Sequence, residues 1–454
     1  MGHDLSELEG SAVKQPVVLV TYYFPPDPAV GSLRAAKVAR AFLDAGHSVD
    51  VVTSRLPGET GMRATSQPGF RVHTVKSLPD LREIMRALKA RLTKFRGRRP
   101  AEHTTDTASW SPPTQLPLWQ RFFFSLLWLP DDRQGFVFPA WNKARSLLRQ
   151  RTGVVYSTAP PFSPHLVGLA LRWTTRARWV MEFRDPWADN TQKPWWIRTK
   201  VTDAFDARME RYCLNRADLV VTVSDGIRAR LAARIPGLDK SKLIVIRNGI
   251  EQLAQSDSMP RRAGPVHVVY IGTFYYGRDP RPFLHGLAAV CRKHGWGAEQ
   301  VRVDFAGACR SVGTVSVEDH VKNLLLSEVV HFHDWLPHVA AQRLVKDADV
   351  LLLLAQQQPD QVPNKLYEYL GVRRTILAVA DAGGETATML TRVGGHQLIT
   401  NDNPAEIGRV LEELILAVRS DNHHFVASET DERLLKEWTT EAQMKRLMAA
   451  VRSC

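Results

Sequence analysis

A lysine and a carboxylate stand close together at a predicted helix start in the second half of the chain. The stretch 359–378 reads PDQVPNKLYEYLGVRRTILA, in which Pro363 and Asn364 favour a helix start and KLYEYLGV continues the helix. Lys365 and Glu368 are about one turn apart, so both can face the same cleft. An ammonium beside amide donors suits a diphosphate, and a carboxylate can accept hydrogen bonds from two ribose hydroxyls. The alternative is an ordinary Lys/Glu pair on a helix surface.

Two glycine-containing loops follow predicted strands and are candidates for phosphate contacts. The first loop, YYFPPDPAVGS, holds Gly31, and the second, GTFYYGR, holds Gly272 and Thr273. Backbone amides at a helix start attract phosphate. A simple tight turn is the alternative role of Gly31. The G-x-G-x-x-G fingerprint is absent from both loops, which argues against a dinucleotide-dependent oxidoreductase.

Alternating strands and helices must position these loops. Residues 17–53 read as strand, loop, helix and strand, which is one βαβ unit of a parallel sheet. The pattern recurs on both sides of the polar segment 252–265, where we place a domain boundary. We therefore predict an α/β protein with Rossmann-like, doubly wound domains at 1–255 and 256–430. A final helix is predicted within 431–454.

Composition and charge limit the class of protein. The chain has 454 residues, of which 44% are hydrophobic and 24% charged, as expected for two globular domains. Its four cysteines show no C-x-x-C spacing, so we expect free thiols, a reducing compartment and a cytoplasmic location. No secretory pattern opens the chain, and no stretch approaches the roughly 20 apolar residues of a membrane span. The net charge of +13 attracts phosphates, anionic membranes or nucleic acid without choosing among them.

Two groups of metal-ligating residue types are interpreted as structural. Asp347 and Asp349 form a D-x-D pattern, but it precedes an apolar strand instead of ending one. The second group is His331, His333, Asp334 and His338. This group lacks the helical spacing and the third ligand of a known site. We therefore expect no metal.

The stretch 359–378 resembles the donor-binding signature of the retaining glycosyltransferases of family 4, which have the GT-B fold. That signature carries two acidic residues separated by seven others, with the second on a helix ahead of a strand. Glu368 matches the second acid, and Asp360 stands at the first, where the family usually has Glu. Arg373 and Thr375 replace the glycine and proline that usually follow. Segments along nearly the whole chain share the resemblance, among them WVMEFRDPWAD and VVYIGTFYYGRDPRPFL.

The resemblance implies two domains that face each other across a cleft, with the donor mainly on the second and the final helix returning to the first. It places basic residues against the donor phosphates, where Arg278 is the best match, and a polar residue near the transferred sugar, where Asp185 stands. Pairing of Arg184 with Asp185 is the structural alternative. The catalytic candidates are Asp185, Arg278, Lys365 and Glu368. The donor-binding candidates are Gly31, Gly272, Thr273, Arg278, Asp360, Asn364, Lys365 and Glu368.

The family's chemistry implies transfer of a hexose-type sugar from a nucleotide-diphosphate sugar to a glycan or lipid-linked acceptor. Expected acceptors are an envelope polysaccharide, a glycolipid or another glycoconjugate. The anomeric configuration would be retained, and neither a metal nor another cofactor would be needed. Nucleic acid is not an expected partner. Two alternatives stay open: a nucleotide-sugar epimerase of similar fold, and a non-catalytic membrane-associated subunit with a degenerate donor site.

Segment 81–130 departs from the alternating pattern and is predicted to be an insertion in the first domain. Apolar residues at helical spacing are surrounded by arginines and lysines between 82 and 96, and an aromatic-rich stretch follows later. The aromatic residues are Trp119, Phe122, Phe123, Phe124 and Trp128. Because basic helices with interfacial aromatics bind anionic membranes, we predict peripheral binding at the inner face of the membrane. Packing of the aromatics into the core is the alternative.

Overall fold

The structure is a computed structural model of the chain. It describes residues 15–56, 58–59, 62–63, 67–79, 117–148, 152–188, 198–254, 264–275, 277–420 and 430–454. The basic stretch 82–96 therefore lies outside the described residues, whereas the aromatic stretch that follows is described. The chain divides into two compact units, which are treated separately below.

The first unit is built on a mostly parallel sheet. Its strands are β1 (Pro16–Val20), β2 (Ser48–Ser54), β3 (Met62–Arg63), β4 (Phe70–Val75), β5 (Val154–Ala159), β6 (Arg178–Phe183), β7 (Leu219–Thr222) and β8 (Leu243–Val245). Among the described residues their order is β3-β4-β2-β1-β5-β6-β7-β8, with β3 and β4 antiparallel. The central strands β1 and β5 are buried along almost their whole length, as expected where helices cover both faces of a parallel sheet.

Helices cover this sheet. They are α1 (Val30–Asp44), α2 (Leu118–Leu126), α3 (Val137–Leu147), α4 (Ser163–Thr174), α5 (Lys200–Arg216) and α6 (Asp225–Arg234). The first half of α6, up to Ala229, belongs to the second unit. Helix α1 shows how the sequence specifies the packing, because Ala35, Val38, Ala39 and Phe42 recur at helical spacing and are all buried. They join the core cluster that also contains the β1 residues. The start of α1 is thereby held at the carboxyl end of β1, where Gly31 lies.

The second unit is a doubly wound domain with a parallel six-stranded sheet among its described residues. Its strands are β9 (Val266–Ile271), β10 (Val301–Ala306), the short hairpin β11 (Ser311–Val312) and β12 (Val315–Ser316), β13 (Val330–His333), β14 (Val350–Ala355), β15 (Thr375–Ala380) and β16 (Gln397–Ile399). Its helices are α7 (Arg281–His294), α8 (Val317–Asn323), α9 (His338–Asp347), α10 (Asn364–Val372), α11 (Glu385–Val393) and α12 (Pro404–Arg419). The main sheet runs β13-β10-β9-β14-β15-β16, so the strand order reverses between β9 and β14. Open α/β sheets bind ligands at the carboxyl ends of strands beside such a reversal.

The C-terminal segment forms two helices where the sequence predicts one. Helix α13 (Glu432–Glu437) ends before Trp438, and α14 (Thr440–Ser453) begins after Thr439. The Thr439 hydroxyl accepts a hydrogen bond from the Ala442 amide at 3.3 Å, which makes Thr439 the N-cap of α14. Trp438 is buried in the core of the second unit. The apolar residues of α14 lie in the core of the first unit; they are Met444, Leu447, Met448 and Val451.

The chain passes from the first unit to the second between Ile246 and Arg247, ahead of the expected boundary at residue 255. Ile250 already belongs to the core of the second unit, and its amide donates to the Trp438 carbonyl at 2.8 Å. The Arg247 guanidinium pairs with Asp225, which the same division assigns to the second unit. Polarity of the following segment therefore marks the boundary only approximately, because these tertiary contacts begin before it.

None of the helices in the described part of the chain is both long enough and apolar enough to cross a lipid bilayer.

Candidate functional site

Two loops meet where the strand order of the second sheet reverses. Gly272 directly follows β9, and Lys365 lies in the first turn of α10, the helix that follows β14. Gly272 has a φ of 136°, and a Cβ there would overlap the Lys365 ammonium. Only glycine combines that backbone conformation with so close an approach. The predicted candidates Gly272 and Lys365 are therefore brought together.

The Lys365 ammonium is the electrostatic centre of this site. Its Nζ is buried and has no hydrogen-bond partner, while lying 4.1 Å from the centroid of the Tyr270 ring. Burial, and then the positive charge of Arg278, lower the pKa of Lys365 to about 7. A buried ammonium without a partner is costly, so the arrangement is suited to an anion that restores both hydrogen bonds and charge balance.

Arg278 supplies a second positive charge beside Lys365. Its guanidinium lies 4.8 Å from the centroid of the Tyr275 ring, and its Nε is buried without a hydrogen-bond partner. The turn that carries it depends on Gly277, which has a φ of 88° and where a Cβ would lie 2.6 Å from the Gln356 carbonyl oxygen. Thr273 lies in the same loop, and its carbonyl accepts a hydrogen bond from the Tyr270 hydroxyl at 3.0 Å.

The first turn of α10 carries the other predicted donor contacts. Asn364 donates from its side-chain amide to the Glu368 carboxylate at 3.2 Å, and Glu368 is exposed. No side chain caps the start of this helix. Its amino end is therefore suited to a phosphate, since helix N-termini attract anions. The spacing predicted from sequence thus places Asn364, Lys365 and Glu368 on one helix turn.

Asp360 lies in the loop between β14 and α10, where its main chain is held tightly. The Ser224 hydroxyl donates to its carbonyl at 2.6 Å, and a Cβ at Gly226 would lie 2.9 Å from its Cα. The same loop is fixed by the Asp381 carboxylate, which accepts from the amides of Gln357 and Gln358 at 2.8 and 2.6 Å. The loop is therefore set by residues well outside the local motif.

Sequence reasoning missed the turn after β15, which supports that loop. Gly383 and Gly384 precede α11, and the Glu385 amide donates to the Pro359 carbonyl at 2.8 Å. The Glu385 carboxylate accepts hydrogen bonds from backbone amides in α6; burial raises its pKa, and Arg247 offsets part of that rise. The signal that marks this turn is the DAGGE sequence at the end of a strand, a glycine-rich turn ahead of a helix.

Gly31 and Asp185 lie in the first unit. A Cβ at Gly31 would overlap the Arg184 guanidinium, which is held by the carbonyls of Ala159 and Pro160, the first at 3.0 Å from Nε. Burial raises the pKa of Asp185, and the charge of Arg184 offsets part of the rise. Arg184 thus both interacts electrostatically with Asp185 and fills the space behind Gly31.

His333, at the end of β13, belongs to a hydrogen-bonded cluster around a buried carboxylate. Asp304 accepts from His267 at 2.5 Å, from His333 at 2.9 Å and from Arg302 at 3.0 Å. Burial alone would raise the pKa of Asp304, but these bonds outweigh it and hold the pKa well below its usual range. In the part of the chain that the structure describes, no group of three or more His, Cys, Asp or Glu residues is placed to hold a metal ion.

Part of the chain is similar to a known protein family. Residues 31–249 match the family model described as a glycosyl transferase 4-like domain. A comparison with curated protein sequences found no match.

Solved structures match over nearly the whole chain. Sucrose-phosphate synthase from Thermosynechococcus elongatus is 15% identical, with a TM-score of 0.61 over 97% of this chain and 98% of that one. Anabaena HepE in complex with UDP and glucose is 11% identical, with a TM-score of 0.59 over 97% of this chain and 100% of that one. The lipopolysaccharide outer core galactosyltransferase WaaB is 12% identical, with a TM-score of 0.57 over 97% and 99%. At these identities the likeness concerns the fold.

The fold is therefore GT-B, built from two Rossmann-like domains, which confirms the fold class predicted from the sequence. Residues 31–249 match a glycosyl transferase 4-like domain, which agrees with the resemblance to the family 4 glycosyltransferases that the sequence carries.

The contact between Gly31 and Arg184 generates the first prediction. We expect Gly31→Ala to fold but to lose about tenfold or more of its transferase activity, because the new methyl group displaces Arg184 from the two carbonyls and shifts the start of α1. Release of nucleoside diphosphate from a nucleotide sugar measures the activity. Gly297→Ala is the matched control, since nothing lies within 4 Å of a Cβ there. Equal activity of both variants would show that Arg184 accommodates the methyl group freely.

Proposed function

We propose that this protein is a retaining, metal-independent hexosyltransferase that moves a sugar from a nucleoside-diphosphate sugar to a glycan or lipid-linked acceptor. The observation that carries the proposal is the buried Lys365 ammonium, which has no hydrogen-bond partner and lies beside Arg278 at the strand-order reversal of the second sheet. Two cations and a helix start at the carboxyl end of β9 and β14 suit the diphosphate of such a donor.

The second unit would hold the donor, and the chemistry of each side chain indicates which part of the donor it would bind. Lys365 and Arg278 would bind the diphosphate, assisted by the amides of Gly272 and Thr273. The Glu368 carboxylate, oriented by Asn364 at 3.2 Å, would accept hydrogen bonds from the ribose hydroxyls. Asp360, whose main chain is held at the end of β14, would lie toward the sugar.

Transfer builds negative charge on the leaving diphosphate and positive charge on the sugar ring. Lys365 and Arg278 would stabilise the first charge without a metal ion or another cofactor, because both cations are already in place before the bond breaks. The leaving phosphate itself would take the proton of the acceptor hydroxyl on the same face, so that the configuration is retained. In the first unit, Gly31 would contribute to donor binding and Asp185 would lie near the transferred sugar.

The acceptor would come from an envelope polysaccharide, a glycolipid or another glycoconjugate. Support comes from the fold shared with WaaB, a lipopolysaccharide outer core galactosyltransferase, and the donor class is supported by HepE, which binds UDP and glucose. The protein would act in the cytoplasm as a peripheral protein at the inner face of the membrane, with no nucleic acid as partner.

Two alternatives make different predictions with a donor panel. A nucleotide-sugar epimerase converts the donor without an acceptor, whereas a transferase releases nucleoside diphosphate when acceptor is supplied. A non-catalytic subunit would bind donor without turnover. A thermal-shift screen of nucleotide sugars identifies the donor first, because a ligand that binds only the folded state raises the melting temperature.

The state of Lys365 predicts a pH dependence of donor binding. With the pKa of the empty site at about 7, the ammonium is charged below that pH and increasingly neutral above it. We expect affinity for an intact nucleotide sugar to fall as pH rises from 6 to 9, approaching about tenfold per unit at the alkaline end. Calorimetry without acceptor measures this affinity at each pH.

The control for this prediction is Lys365→Met, which should bind the donor more weakly at pH 6 and show a much flatter profile. Lys293→Met, at an exposed lysine paired with Glu412, should keep the profile of the unaltered protein. The same pH profile in Lys365→Met would remove Lys365 from the diphosphate site.

A second prediction concerns Glu368. We expect Glu368→Ala to remain folded and to lose about tenfold or more in turnover, because a charge-assisted hydrogen bond to the ribose is removed. Glu413→Ala serves as the control, since Glu413 is also an exposed helical glutamate and forms an ion pair with Arg409 one turn away. Steady-state kinetics with the identified donor measure the turnover of both variants. Unchanged kinetics of Glu368→Ala would exclude the ribose contact.

The reaction itself is tested by its stereochemistry. We expect NMR of the product to show the same anomeric configuration as the donor, and we expect activity to persist in EDTA because Lys365 and Arg278 supply the positive charge. An inverted anomeric carbon contradicts retention. Complete loss of activity in EDTA, restored by a divalent ion, contradicts metal independence.

A further inference from the structure

More than half of the large apolar side chains that are exposed in the described residues lie on four helices of the first unit. They are Leu118, Trp119, Phe122, Phe123 and Leu126 on α2, Phe138 on α3, Trp173 on α4, and Val201, Phe205 and Tyr212 on α5. We call the outward side of these helices the α2–α5 face. Concentrated apolar exposure of this kind marks an interaction site more often than scattered single residues do.

The four helices lie side by side, so the exposed residues belong to one layer. The Ser125 and Thr202 hydroxyls join α2 to α5 at 2.5 Å, and the Trp173 and Tyr212 rings join α4 to α5 with centroids 6.0 Å apart. Helix α3 joins α4 through a contact between the Trp141 indole and a threonine hydroxyl at 3.1 Å.

Helix α2 is turned with its apolar side outward. Trp119 is 69% exposed and Leu118 is 75% exposed, whereas Ser125 is buried. A helix of a soluble domain normally buries its apolar side and exposes serine. The sequence alternative, in which these aromatics pack into the core, does not describe this helix, although Phe124 and Trp128 are partly buried.

The acidic and basic side chains of α5 differ in their exposure. Of its three acidic residues, Asp206 and Glu210 are buried, where Asp206 accepts from the Trp187 indole at 3.3 Å and Glu210 pairs with Arg234. The third, Asp203, is 32% exposed and forms an ion pair with Arg198. The exposed charged residues of the helix are basic: Lys200, Arg208, Arg211 and Arg216. The α2–α5 face therefore presents aromatic residues together with positive charge.

We propose that the α2–α5 face binds the surface of an anionic lipid bilayer. Tryptophan and phenylalanine favour the interface between headgroups and acyl chains, and arginine and lysine beside them attract anionic headgroups. A protein partner would not require the fully exposed charges of α5 to be basic, whereas an anionic surface favours that arrangement. This inference extends the proposed function by placing a lipid-linked acceptor at the same membrane, but it does not depend on the donor site.

Flotation of the whole protein with vesicles tests the proposal. We expect binding to phosphatidylcholine vesicles that contain phosphatidylglycerol, weaker binding to phosphatidylcholine alone, and weaker binding as salt rises. The variant Trp119→Ser/Phe123→Ser should lose about tenfold or more of its bound fraction, and Arg208→Glu/Arg211→Glu should lose a similar share.

Two control variants keep the result interpretable. Trp335→Ser, at a residue of the second unit that is 76% exposed, removes a comparable aromatic side chain and should bind as the unaltered protein does. Neutralising the basic residues of 82–96, which lie outside the described residues, tests the other candidate segment. The melting temperature and donor binding of every variant establish that it is folded. A protein that binds donor but does not float would contradict the membrane proposal and leave the proposed function standing.

Three results would overturn the proposal. The first is an unaltered protein that stays with the soluble fraction on anionic vesicles at low salt. The second is binding that is lost when 82–96 is neutralised but kept in both α2–α5 variants. The third is a concentration-dependent dimer that the α2 variant abolishes while flotation is unchanged, which would make the face an interface between copies of the chain.

Discussion

The second unit is organised around one unfavourable interaction, a buried ammonium with no hydrogen-bond partner. Lys365 Nζ is placed there by the first turn of α10 and faces the Tyr270 ring at 4.1 Å. Gly272 must lack a side chain for this to be possible, and Gly307 must lack one in turn, because a Cβ there would overlap the Gly272 carbonyl. The cost of such a charge falls when an anion binds or when the ammonium loses its proton, and the two glycines provide the space in which the lysine side chain lies.

The sequence predicted the parts of this site that depend on local order. The helix start at Pro363 and Asn364, and the one-turn spacing of Lys365 and Glu368, follow from residues within a few positions of one another. The two Rossmann-like domains followed from alternating strand and helix patterns, which are local as well. Strands β4 and β16 were not predicted from the sequence; β16 has only three residues, too few to show a periodic pattern.

What the sequence could not predict depends on contacts between distant residues. Arg184 fills the space behind Gly31 although 152 residues separate them, and nothing in either local motif indicates it. The sequence indicates a structural role for His333 but not its partner, the Asp304 carboxylate, which lies 2.9 Å from the His333 ring. The aromatic α2 is a similar case, because a core helix and a membrane-facing helix have the same spacing of apolar residues. The exposure of Trp119 and Leu118 in the structure excludes a core helix, which the spacing alone could not do.

The choice of lysine over arginine at 365 has a physical consequence for the empty enzyme. An arginine at this position would stay charged whether or not a donor is bound, and its desolvation would weaken the empty fold. A lysine whose pKa is lowered to about 7 by burial and by Arg278 can lose its proton when the site is empty. A diphosphate restores the charge, since a nearby anion raises the pKa of an ammonium. By losing its proton, the lysine lowers the cost of its burial in the empty site, and under the proposed function it is charged again beside the leaving diphosphate.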